Sequence, residues 1–78
     1  MNQIIYRDAE DDFKAFLTAQ AIENSGATVF SITPNGEGTY PFCSAPHRRF
    51  IVWAKYQEPF DVDAMDELIT KAYEEKLA

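Results

Sequence analysis

Cys43 and His47 are the only thiol and the only imidazole in the chain, separated by Ser44-Ala45-Pro46. A thiol beside an imidazole can act as nucleophile and base, or supply half of a metal site. Zinc takes three or four protein ligands, and no second Cys or His completes a set. A nucleophile would also need oxyanion donors and a pocket, for which 78 residues leave little room. The pair reads as a loop thiol beside a surface imidazole. Gly36-Glu37-Gly38 lacks the third glycine and the Lys-Ser/Thr of a phosphate loop, and Glu37 would repel phosphate, so a hairpin turn is expected there. Asp61-Val62-Asp63 begins like a calcium loop. Met65, however, stands at the third ligand position, Asp66 where glycine is required, and Ala72 where the closing glutamate belongs. No catalytic residue, no metal and no cofactor is therefore expected.

The acidic residues form a second candidate site. Net charge is −6, and its distribution is uneven. Residues 8–25 hold five acids against Lys14, and residues 58–78 hold seven against Lys71 and Lys76. Residues 26–57 hold only Glu37 against Arg48, Arg49 and Lys55. If both acidic blocks are helices packed side by side, Asp8, Asp11, Asp12, Asp61, Asp63, Asp66 and Glu67 fall on or near their outer surface. Rows of carboxylates can imitate phosphates and enter the basic groove of a nucleic-acid-handling protein. The plainer reading is solvation together with favourable helix dipoles, since an acid in a first turn contributes about 0.3–1 kcal/mol.

The third candidate is the stretch from Arg48 to Tyr56. Side chains alternate along a strand, so Phe50, Val52, Ala54 and Tyr56 share one face, and Arg49, Ile51, Trp53 and Lys55 share the other. Two helices can cover one face of a small sheet. The cations mark the uncovered face, which strands Ile51 and Trp53 there, and an exposed Trp among cations is a typical interface anchor. The competing reading folds Trp53 under a loop at 34–38 or 43–47.

These residues need elements to position them. Ala9, Phe13, Phe16, Leu17 and Ala21 recur at helical spacing and predict a helix over 9–24, with Asp8 as N-cap and Gly26 beyond its end. Met65, Leu68, Ile69, Ala72, Tyr73 and Leu77 predict a second helix, capped by Asp61 or Asp63 after Pro59. Between them, Ala27–Thr33, Thr39–Cys43 and Arg49–Tyr56 read as strands, with turn chemistry at 34–38 and a break at 44–46. Gln3–Arg7 adds a short N-terminal strand. The expected fold class is α+β: one small domain over residues 1–78 in (β)αβββα order. Its two helices pack on one face of a three- to four-stranded antiparallel sheet. This order resembles that of double-stranded-RNA-binding domains in topology alone. Where those domains carry a lysine cluster at the start of the last helix, this chain has Asp61-Val62-Asp63-Ala64-Met65-Asp66.

The functional expectation is a non-enzymatic, acidic interaction module, an accessory protein or inhibitor that docks on a larger protein with a basic groove. Products of phages and mobile elements that block host machinery have this character. Alternatives are single-stranded nucleic-acid binding around Trp53, against which the net charge argues, and a homodimer joined through the Trp53 face. The acids near the N-terminus do not suit a signal peptide. The longest apolar run, Phe50–Ala54, is far short of the ~20 residues of a membrane span. A single cysteine forms no intrachain disulfide. A cytoplasmic location without a membrane partner is the expectation.

Overall fold

The structure is a computed structural model that describes residues 2–39 and 46–77. The element order is β1 (Asn2–Ala9), α1 (Asp12–Asn24), β2 (Thr28–Thr39), β3 (Pro46–Gln57) and α2 (Val62–Leu77). The three strands form one antiparallel sheet in the order β1-β3-β2, so the strand richest in β-branched and aromatic residues is central. This is an α+β domain. Its described order is βαββα; the expected strand Thr39–Cys43 and the break at 44–46 lie almost wholly outside the described residues, with only Thr39 and Pro46 inside, in β2 and β3.

Two expectations need correction. Pro34–Gly38 is not a hairpin turn but part of β2, which stays paired with β3 as far as Thr39↔Pro46. The turn-forming residues there absorb an irregularity. Pro34 pairs with Phe50 and Glu37 with Arg48, so β2 carries one residue more than its partner over this stretch, and Gly36 meets the demand with a φ of +77°. A second extra residue, Phe30, sits between the pairs Val29↔Ala54 and Ser31↔Trp53. The second correction concerns the first helix. Asp8 belongs to β1, which runs longer than Gln3–Arg7, and the N-cap is Asp11, whose Oδ1 accepts from the Lys14 amide at 2.8 Å.

The packed face of α1 also differs from the expected stripe. Ala15, Leu17, Thr18, Ala21 and Ile22 are buried, whereas Phe13 and Phe16 stay 46% and 56% exposed. Leu17 and Ala21 of the expected stripe are buried, together with Ala15, Thr18 and Ile22, and the two phenylalanines are left at the margin. The second helix fits its reading better. Asp61 caps it through the Ala64 amide at 3.1 Å, and Met65 is fully buried in one cluster with Ala9, Ala15, Ile22, Ala27, Val52 and Ala54. Leu68 remains exposed.

Side chains fasten the layers. The Thr18 hydroxyl donates to the Lys14 carbonyl at 2.7 Å and shares a hydrogen bond with the Tyr73 hydroxyl, which also lies 3.4 Å from that carbonyl, so α2 is tied to α1. Arg7 on β1 grips Asp66 on α2 with two hydrogen bonds, 2.7 and 2.9 Å, and donates to the Tyr6 carbonyl of its own strand at 2.7 Å. At the other edge of the sheet, Glu23 accepts from the Val29 amide at 2.9 Å. The backbone of each edge strand is thus met at one point by a side chain.

Candidate functional site

Register separates the two faces of the sheet. Val52 and Ala54 are fully buried, and Phe50 and Tyr56 pack at the margin of the same core. The alternate residues of β3 look the other way. There Lys55 is exposed, and Arg49, Ile51 and Trp53 are half-buried. Their partners on β1 are Ile4, opposite Lys55, Tyr6, opposite Trp53, and Asp8, opposite Ile51. Ile4 is 67% and Tyr6 53% exposed. On β2 the corresponding positions are Thr28, Ser31 and Thr33. The four residues predicted for this face, Arg49, Ile51, Trp53 and Lys55, therefore lie together with Ile4, Tyr6 and a row of hydroxyls.

Local contacts fix the geometry. The rings of Tyr6 and Trp53 sit 5.3 Å apart at 43°, a tilted pair on adjacent strands. The Trp53 indole N–H donates to Thr33 Oγ1 at 2.9 Å, which holds the ring against β2. Trp53 is thereby neither core nor free: one edge is tethered while the ring lies within the sheet surface. Asn35 donates to Asp8 Oδ1 at 3.1 Å, giving the one carboxylate of these paired positions a partner. Sequence reasoning misses Tyr6 and Ile4 because a short N-terminal strand carries no indication of its pairing partner. A signal is present, since Ile4, Tyr6 and Asp8 alternate with Ile5, Arg7 and Ala9.

Asp63, Asp66 and Glu67 line one hollow on α2, and Asp66 lines a second with Asp8, Ile4 and Tyr6, but several of the acids are engaged within the fold. Asp8 sits on the sheet. Asp11 and Asp61 cap helices, and Asp66 is committed to Arg7. The hydrogen bonds from Arg7 hold the Asp66 carboxyl below its usual range, against a smaller opposing effect of burial. The same bonds raise Arg7. Glu10 pairs with Lys14, and that hydrogen bond lifts the ammonium above the ordinary lysine value. Of the predicted set Asp8, Asp12, Asp61, Asp63 and Glu67 are exposed, Asp8 while engaged by Asn35 and Asp61 while capping α2.

Other chemistry finds little support in the geometry. Cys43 lies outside the described residues. Among those described, no group of three or more His, Cys, Asp or Glu side chains could hold a metal ion. A hollow of about 660 Å³ beside the β3–α2 connection is lined by consecutive residues, Glu58 to Asp63. Two of its carboxylates are engaged with backbone amides, Glu58 with Phe60 and Asp61 with Ala64. No described helix is long and apolar enough to cross a membrane. No protein-family model matches this chain, and no curated protein or solved structure shows significant similarity to it.

Proposed function

We propose that this protein is a non-enzymatic binding module, an accessory factor or inhibitor of nucleic-acid-handling machinery, and that it works by docking the open face of its sheet. In this reading both helices pack on the opposite face and serve as the scaffold. The observation that carries it is the Tyr6–Trp53 pair with exposed Ile4 beside it, flanked on β3 by Arg49 and Lys55. Half-exposed aromatics on a rigid sheet lose little conformational freedom when covered, which is the property of a binding anchor. Imitation of phosphates by the helices has weaker support, because Asp11, Asp61 and Asp66 already have partners within the fold.

Capture from a native lysate, with the intact protein as bait, compares the two surfaces directly. A face variant, Ile4→Ser with Tyr6→Ala, is expected to lose the captured partner. A helix variant, Asp63→Lys with Glu67→Lys, is expected to keep it. The opposite pattern would transfer the function to the acidic helix and end the open-face reading.

A further inference from the structure

We infer that the ligand of the open face is single-stranded nucleic acid, an inference that rests on that face being the working surface. Charge is the first ground. The chain carries −6 overall, yet on this face Arg49 and Lys55 of β3 stand against Asp8, which Asn35 engages, while Asp66, which lines a hollow with Ile4, Tyr6 and Asp8, is paired with Arg7. The exposed carboxylates of Asp63 and Glu67 belong to α2, and screening at physiological salt acts over about 8 Å, so a phosphate held by Arg49 or Lys55 responds most strongly to the cation beside it.

Shape and chemistry are the second ground. Two aromatic rings on neighbouring strands offer platforms on which bases stack irrespective of sequence. Tyr6 and Trp53 provide them, and the Thr33 tether keeps the indole in place. The hydroxyls of Thr28 and Ser31 lie at register positions beside Lys55 and Trp53, where the polar edges of unpaired bases find donors and acceptors. A duplex offers no free base faces on which the two rings could stack.

The sole tryptophan makes the test direct. Fluorescently labelled dT15, rU15 and a 15-base-pair duplex are titrated with the intact protein, and binding is followed by anisotropy; Trp53 emission is read with the unlabelled strands. Both single strands are expected to bind and quench Trp53, and the duplex to do neither. With two phosphates held, the logarithmic salt slope is about −1.4, a loss of about sevenfold between 50 and 200 mM salt. Arg49→Gln with Lys55→Gln is expected to flatten that slope toward zero. Tyr6→Ala is expected to weaken binding about 5- to 140-fold, whereas Tyr6→Phe keeps it. Tyr6 is half exposed, and a melting curve for each variant separates lost binding from lost fold. Absence of quenching and anisotropy change with both strands overturns the inference, as does equal binding to the duplex or indifference to Tyr6→Ala. If the strands fail while lysate capture still depends on Ile4 and Tyr6, the partner is a protein and the open-face reading stands alone. If capture is indifferent to the face as well, both readings fall.

Discussion

The two faces of β3 are made by one strand and serve opposite ends. Val52 and Ala54 are closed off completely, while Trp53 and Lys55, one residue away, remain accessible. The covered face is aliphatic at its centre, with Phe50 and Tyr56 at its margin, so its side chains matter through volume. The open face mixes aromatic, cationic and hydroxyl groups, and its side chains matter through what they present. Adjacent positions in one strand should therefore respond to substitution in different observables, stability on one side and binding on the other.

That contrast can be broken most forcefully at Val52. Val52→Asp places an unpaired carboxylate in a site with no solvent access, and the expected cost exceeds about 4 kcal/mol. Circular dichroism should show an unfolded chain at room temperature, and a folded variant would mean that the two faces are not distinct. A smaller effect is expected where α2 is fastened to α1. Tyr73→Phe removes the hydroxyl that hydrogen-bonds fully buried Thr18 and should cost about 1 kcal/mol in urea denaturation.

The Arg7–Asp66 pair sharpens the comparison through pH. Asp66 is held below its usual range in the folded state, so its contribution is present above the unfolded value of about 3.9 and is lost as pH falls through the lower, folded value. The side chains are 32% and 44% exposed, and screening limits the pair to about 0.2–1 kcal/mol. Asp66→Asn should lower stability by that amount at pH 7 and by much less at pH 2, read from paired urea curves. An undiminished difference at pH 2 would show that the substitution disturbs packing and not charge. The smallest effect belongs to the open face. Ile4→Asp should move the unfolding free energy by no more than about 0.5 kcal/mol; a larger loss would place Ile4 in the core.

Much of the fold was legible where one signal dominated. The alternation of residues 49–56 assigned both faces of β3 correctly, and Asp61 together with Met65 marked the start and buried side of α2. The first helix was partly legible: Leu17 and Ala21 of the expected stripe are buried, but Phe13 and Phe16 were weighted above Ala15, Thr18 and Ile22, which pack in their place. Residues 34–38 misled, since glycine and proline serve a β-irregularity as readily as a turn, and only pairing with β3 distinguishes them. The open face was half legible. Arg49, Ile51, Trp53 and Lys55 follow from one strand, but Tyr6 and Ile4 reach them through a register that joins residues about fifty positions apart, which no local pattern contains.

The edges of the sheet have a consequence for the protein in a crowded solution. An exposed strand edge beside a bare apolar face is a template for fibril growth, because each added chain copies the hydrogen-bonding row of the last. Here Arg7 occupies the Tyr6 carbonyl on one edge. On the other edge Glu23 occupies the Val29 amide, Pro34 has no N–H to offer, and two irregularities bend the strand out of register. Neither row can be copied along its length. The exposed side chains of Ile4 and Tyr6 therefore stand beside edges that do not template an endless sheet of further copies.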